Sequence, residues 1–345
     1  MSAAKPGKAL VQADAGAYLA WSGADQPPVA AQGLGCGLLV LKPLGFAMPH
    51  YADSNKFGYV LAGRGVAGVL PAPAGLHAGA ASGGEKVVRL TAGDVIAVRT
   101  GDVSWWYNDD DAAAAADLSV VFLCDTASAV SPGDVSYFFL AGANSVMAGF
   151  DAAGAFTSQP AVLLTKLSQK LAGVCPREHD RKGLVVNADD EVRVDRTGLK
   201  TLTAAELAAL GGLGISAVLG RLDAGDARAP WVVREGAAQA VYVARGSARV
   251  QVSAAAGGKA LLVDEVVPAG SMFVVPRFAV ACVAAAGAEG VEWVSLVKSG
   301  RPVVEELMAG DGSSSVLGAL TAQVVQVSLN VAPELVELLV GSNTE

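Results

Sequence analysis

Gly45-Phe-Ala-Met-Pro-His50-Tyr-Ala52-Asp-Ser-Asn-Lys56-Phe-Gly-Tyr59-Val-Leu-Ala-Gly63 decides the fold, because its last five residues come back later in the chain. Tyr59-Val-Leu-Ala-Gly63 returns as Tyr242-Val-Ala-Arg-Gly246, and Ala92-Gly93-Asp-Val-Ile-Ala-Val-Arg99 returns as Ala269-Gly270-Ser-Met-Phe-Val-Val-Pro276. Two motifs recurring in the same order form an internal repeat, so two copies of one structural unit are expected. Short runs rich in valine and aromatic residues surround them, as at Val241 to Val243, Arg249 to Val252 and Met272 to Val275. Gly, Pro and Ala-Gly turns bound these runs at close intervals, the pattern of antiparallel strands closing into sandwiches or barrels. Gly63, Gly65, Gly93, Gly246 and Gly270 fall at strand ends, where positive φ is cheapest for a residue without Cβ.

Outside the repeats the hydrophobic period lengthens. Pro160 to Leu171 sets Leu163, Leu164, Leu167 and Leu171 on one face, and Thr203-Ala-Ala-Glu206 is a capping box opening a short apolar run. From Ser315, Val316, Leu317 and Leu320 lead into Thr321 to Leu329, and Pro333 opens Glu334 to Leu339 where its missing donor costs little. Pro71 to Gly84, Ala112 to Ala116 and Ala254 to Gly258 read as loops. The expected organisation is a first barrel over 1–155, a helical extension and linker over 156–210, a second barrel over 211–310 and a C-terminal helical extension over 311–345. A chain of 345 residues, 52% of them hydrophobic, can bury two cores of this size.

The stretch from His50 to Gly63 resembles the first signature of the cupin superfamily, His-x-His-x3-Glu-x6-Gly, with its spacing intact. Gly93-Asp-Val-Ile-Ala-Val-Arg99-Thr-Gly101-Asp-Val-Ser104-Trp-Trp-Tyr-Asn108 matches the second, Gly-x5-Pro-x-Gly-x2-His-x3-Asn, with Arg99 for the proline and Ser104 for the histidine. The resemblance implies a mainly β protein of two cupin (double-stranded β-helix, jelly-roll) barrels with α-helical extensions. It also implies where a metal would sit. The four ligand positions of the first copy read His50, Ala52, Lys56 and Ser104; those of the second read Trp231, Val233, Gln239 and Ala281. Transition ions need several nitrogen or oxygen donors at once. Alanine offers none, and lysine binds only after losing its proton. No metal and no other cofactor is expected at either place, and Trp231 is expected to plug the second cavity.

Within the superfamily the chain looks like the legumin-type (11S) seed globulins and their non-secreted plant relatives. The likeness rests on Tyr59 to Gly65, Tyr137-Phe-Phe-Leu-Ala-Gly142 followed by Gly149-Phe150-Asp151, Ala240 to Val252 and Gly290-Val-Glu-Trp-Val-Ser295. It implies a bicupin protomer, homotrimers joined through the helical extensions and no retained catalytic metal. Several features depart from a storage globulin. The N-terminal residues lack a secretory apolar core, so a cytoplasmic protein is expected. No Asn-x-Ser/Thr sequon occurs, nor the Asn-Gly bond at which storage globulins are cleaved. The six asparagines and nine glutamines are few for a nitrogen store. Cys36 falls where the storage globulins place a disulfide cysteine, but the N-terminal partner is missing. Cys36, Cys124, Cys175 and Cys282 are dispersed and read as free thiols.

A net charge of −8 and a pI near 5 deny the chain the basic field that nucleic acid requires. Every apolar run breaks well short of the roughly 20 residues that span a bilayer, so neither nucleic acid nor membrane is expected as a partner. The candidate pocket of the first barrel comprises His50, Tyr51, Lys56, Ser104 and Trp105, a set that could bind a carboxylate or support acid–base chemistry. Against this, Tyr51, Trp105, Trp106 and Tyr107 could be the aromatic wall of a filled barrel. Three functions remain: a non-enzymatic storage or structural bicupin, a small-ligand binding protein, and an atypical metal-dependent cupin enzyme.

Overall fold

The computed structural model describes residues 7–72, 84–112, 115–142, 144–150, 163–195, 198–254, 261–308 and 315–340, with side chains to residue 336. The chain divides into two compact units. One gathers Pro6–Arg193 and Leu202–Ala217, the other Val194–Thr201 and Val218–Glu345.

The first unit is a jelly roll of two sheets. Among the described residues one sheet runs in the order Lys8–Ala13, Gly16–Trp21, Leu34–Leu41, Leu118–Asp125, Asn55–Ala62, Asp94–Val98, Val185–Asn187. The other runs Tyr137–Phe139, Gly45–Ala52, Val103–Tyr107, Arg64–Leu70, Lys86–Thr91, with Leu164–Lys166 also on the Gly45–Ala52 strand. Alternate residues of each strand point inward, and Leu39, Leu41, Val60, Ile96, Trp106 and Phe122 belong to one buried cluster.

The second unit repeats the plan around the fifteen-residue strand Gln239–Ser253. Its first half pairs with Met272–Val275 and Val291–Val297, its second half with Leu261–Pro268 and Val280–Ala285. The corner between the halves is Gly246, at φ +69°. In the first unit the same corner is Gly63, at φ +79°, between Asn55–Ala62 and Arg64–Leu70. A Cβ on Gly63 would lie 2.2 Å from the Asp117 carbonyl oxygen, and one on Gly246 would lie 2.0 Å from that of Gly290. The recurring glycine of the sequence repeat is thus the bend at which the chain passes from one sheet to the other, with another backbone packed against it.

The helical expectations divide. Ala322–Leu329 and Pro333–Val340 are helices, the first ended by Asn330 in the left-handed conformation and the second opened by Pro333. From Val316 to Leu320 the chain forms turns instead of helix. The helix expected over Pro160 to Leu171 lies outside the described residues up to position 162 and is contradicted beyond it, where Leu164–Lys166 is a strand paired with Gly45–Ala52. An exposed strand edge offers a row of unpaired donors and acceptors, whereas so short a helix must nucleate alone. Between Glu178 and Leu210 the described elements are the four-residue helix Glu178–Arg181, the strands Val185–Asn187 and Leu199–Leu202, and the 3₁₀ turn Ala208–Leu210. The capping box does form. Glu206 accepts from the Thr203 backbone N–H at 2.7 Å and from its hydroxyl at 2.9 Å, but it closes a turn and not an α-helix. The loops expected at Pro71 to Gly84 and Ala254 to Gly258 lie mostly outside the described residues.

Cys36 pairs across the sheet with Leu123, and Cys124 with Gly35. The two thiols therefore stand on opposite faces, and all four cysteines are free.

Candidate functional site

The pocket is set by an irregularity in the Gly45–Ala52 strand. Ala47 opposes Trp106 and His50 opposes Ser104, so three residues on one strand span two on the other, with Met48 and Pro49 in the bulge. A bulge re-aims the side chains that follow it. Ala47, His50 and Ala52 consequently face the barrel interior. Tyr51 faces the other way and stacks on Phe138, ring centroids 5.0 Å apart and 12° from parallel. On the facing strand Ser104 and Trp106 point inward, and Trp105 points out, donating to Glu85 Oε1 at 2.5 Å and packing with Val66, Val87 and Tyr107. Of the five candidates from the sequence, His50 and Lys56 line the cavity and Tyr51, Ser104 and Trp105 do not, whereas Trp106 does.

The cavity measures about 40 Å³. Its principal walls are Tyr18, His50, Lys56, Trp106, Phe122 and Tyr137, with Phe139 and aliphatic residues closing the rest. His50 is 7% exposed and makes a 2.8 Å hydrogen bond from Nδ1 to the Met48 carbonyl oxygen. A carbonyl only accepts, so Nδ1 carries the proton and Nε2 keeps its lone pair. Burial, reinforced by nearby Lys56, lowers the imidazole pKa to about 3 against the opposing pull of the Met48 bond.

Lys56 is 2% exposed, with Nζ 4.9 Å from the centroid of the Tyr137 ring and 5.6 Å from that of Phe122. No carboxylate pairs with it among the described residues. Desolvation pushes its pKa down, opposed by the weaker fields of the Asp53 and Asp102 carboxylates. Cys124, opposite Lys56 across the strands, is pushed up to about 12 by its own burial, so it remains a thiol. The Tyr18 and Tyr137 hydroxyls hydrogen-bond each other, and burial raises both phenol pKa values. Tyr18 reaches Tyr137 only because residue 37 is glycine: a Cβ there would lie 1.9 Å from the Tyr18 hydroxyl. Ser104 Oγ is buried without a hydrogen-bond partner, a state that costs on the order of 1–3 kcal/mol.

Sequence reasoning missed Tyr18, Trp106 as a pocket residue, and Tyr137. Strand alternation from Ser104 points to Trp106. Nothing local marks Tyr18, which depends on Gly37, nineteen residues away.

The side chains present do not fit a transition metal. Of the four ligand positions in the first barrel, His50 supplies one imidazole, Ala52 supplies nothing, and Lys56 and Ser104 are poor donors. Among the described residues no three His, Cys, Asp or Glu side chains converge. In the second barrel the corresponding place is filled. Trp231 is 2% exposed, pairs with Ala281 across the strands, and donates from Nε1 to Gln239 Oε1 at 3.2 Å. Gln239 in turn donates to Ser295 Oγ at 2.8 Å, which donates to the Val218 carbonyl at 2.9 Å. Val233 and Ala281 pack in the same apolar core. A bulky indole with a satisfied polar chain behind it leaves no donor set for an ion.

Two jelly-roll barrels with ligand positions at equivalent places, worn down in both, define a two-barrel cupin. The chain belongs to the cupin family, whose model matches residues 1–138 and 187–337. It is 39% identical over 99 residues to the 11S globulin seed storage protein 2 of Sesamum indicum. That match spans 29% of this chain and 20% of the sesame protein. In three dimensions it resembles the recombinant pro-11S globulin of pumpkin, with a TM-score of 0.83 and 19% identity, covering 99% of this chain and 96% of that one. The 11S globulin of Wrightia tinctoria, whose structure reveals an auxin binding site, gives a TM-score of 0.80 at 20% identity, covering 97% of this chain and 92% of that one. The fold is that of the globulin bicupins, and the homology is distant. No helix among the described residues is long and apolar enough to cross a membrane.

Proposed function

We propose that this chain is a non-catalytic, globulin-type bicupin with a structural or nutrient-reservoir role. One observation carries the reading: the eight positions where the cupin pattern places metal ligands hold a single imidazole between them, and Trp231 occupies the second pocket. The low asparagine and glutamine content weights the role toward structure over nitrogen storage. Transition-metal content of untagged protein purified without chelator tests it. Well under one equivalent per chain is expected, because a lone imidazole binds such ions weakly. Near one equivalent, lost in His50→Ala, would overturn it and restore the metal-enzyme alternative.

A second reading rests on the first barrel alone. There Lys56, in the cavity wall, has no carboxylate partner among the described residues. A small carboxylate would pair with it, and the 11S globulin of Wrightia tinctoria is a precedent for a globulin with a small-molecule site, its auxin binding site. Acetate should raise the melting temperature of the wild-type protein and not of Lys56→Met. Equal shifts in the two proteins would remove this reading.

A further inference from the structure

We infer that Lys56 is a covalent acceptor for small aliphatic aldehydes, its Nζ closing on the carbonyl carbon to form an imine inside the first barrel. The inference rests on the reading of this cavity as a ligand pocket, and it assigns the pocket a chemistry different from ion pairing.

The geometry supplies the requirements one by one. An amine is nucleophilic only as the free base, and a lysine in an apolar enclosure is held in that form because its cation has lost its solvent. Around Nζ stand the rings of Phe122 and Tyr137. The attraction of a ring face for an ammonium is smaller than the cost of burying the charge. The titratable groups facing it are uncharged: His50 from the Gly45–Ala52 strand, Tyr18 from Gly16–Trp21, Tyr137 from its own short strand, and Cys124 from Leu118–Asp125. The Asp53 and Asp102 carboxylates act on Lys56 only as weaker opposing fields.

Size selects the partner. A water needs roughly 10–15 Å³ of such space, so a cavity of about 40 Å³ admits about three water-sized groups. This suits a one- to three-carbon aldehyde and excludes sugars and aromatic aldehydes. A polar atom suits the intermediate. The Nε2 lone pair of His50, in the cavity wall, can accept from the carbinolamine hydroxyl. The wall beyond His50 is built from two three-residue strands, Tyr137–Phe139 and Leu164–Lys166, pairing side by side on one edge of Gly45–Ala52. Such short edge segments open at the lowest free energy in a fold and give the entry path.

The step balances without any co-reactant. The Nζ lone pair forms the C–N bond as the carbonyl π pair moves to oxygen. A proton passes from nitrogen to that oxygen, giving the carbinolamine. Loss of the hydroxyl with the second N–H proton releases one water and leaves the neutral C=N bond. The product carries no charge to be solvated, so an apolar cavity stabilises it relative to an ammonium.

Brief incubation of the wild-type protein with acetaldehyde at neutral pH, then borohydride and peptide mass mapping, tests the inference, because borohydride reduces a neutral imine and fixes each one as an N-ethyl lysine. Lys56 should label faster than the exposed Lys8 and Lys170 of the same sample. Added acetate should slow Lys56 alone, and Lys56→Arg should lose the fast event. Labelling of Lys56 no faster than the surface lysines, in a comparison internal to one wild-type sample, overturns the inference. The two uses of the cavity remain separable. A melting shift with acetate but no fast labelling sinks the imine and leaves the carboxylate reading; fast labelling with no acetate shift does the reverse.

Discussion

His50 shows what happens to a ligand residue when its partners go. With a metal set around it, an imidazole is deprotonated by the ion; here it is kept neutral chiefly by burial, with a folded-state pKa of about 3. The linkage has a definite sign. A free histidine titrates near 6.5, so between pH 6.5 and 3 the unfolded chain takes up a proton that the folded chain refuses. The contribution is fully present above pH 6.5 and is lost as pH falls toward 3, by on the order of 4 kcal/mol in total. His50→Gln can still donate to the Met48 carbonyl but does not titrate. Urea midpoints measured across this range should therefore fall more steeply for the wild type than for the variant, with the difference opening only below pH 6.5. Parallel curves would mean that His50 is solvated and titrates normally. Lys56 has the same sign at the alkaline end: its lowered folded-state pKa removes stability as pH falls from the unfolded value near 10.4, and the loss is complete below the folded value.

Strands and their corners account for what could be read in advance. The repeat of Tyr59 to Gly63 at Tyr242 to Gly246 was legible because a glycine forced by geometry recurs wherever the geometry does, and both copies prove to be the same inter-sheet bend. Gly63 and Gly270 have the same φ of +79°, yet a Cβ on Gly63 would meet the Asp117 carbonyl at 2.2 Å while one on Gly270 meets nothing within 4 Å. Gly270→Ala should thus cost only the left-handed conformation, about 1–2 kcal/mol, and Gly63→Ala should cost roughly 2 kcal/mol more as backbone is forced apart. Chemical denaturation of the pair separates the two terms, and equal losses would show that the Asp117 strand yields freely. What the sequence hid is equally physical. The pocket membership of Tyr51 was misread because the bulge at Met48 and Pro49 shifts the alternation by one residue. No composition signal announces such a bulge, although Pro49, unable to donate to a ladder, is where one belongs. Leu164 read as helix because leucines three and four apart suit a helix, whereas the open edge of Gly45–Ala52 decides the matter from outside the segment.

At the scale of the whole molecule the C-terminal helices present an apolar surface that the described residues leave uncovered. Val325 and Val336 close the seam between Ala322–Leu329 and Pro333–Val340, with Leu317 and Val331 beside them. Outside that seam Val327 is 81% exposed, Val324 50% and Leu335 47%. A two-helix unit with apolar residues on both its faces is suited to a second copy of itself, and closed symmetry is how such self-association ends. A homotrimer is the expected assembly, with Val327 in its contact. Val327→Glu, on the outer face and away from the seam, should give monomers with unchanged circular dichroism, whereas an internal packing defect would change both. Charge gives an independent check. Each copy carries a net charge of −8, so protomers repel one another through solvent, and added salt screens that repulsion over about 10 Å at 0.1 M. Contacts made by valine and leucine gain nothing from charge pairing, so trimerisation should strengthen as salt rises. Sedimentation equilibrium at low and high ionic strength decides the point: a trimer that dissociates in salt would place ion pairs, and not this helical face, at the interface.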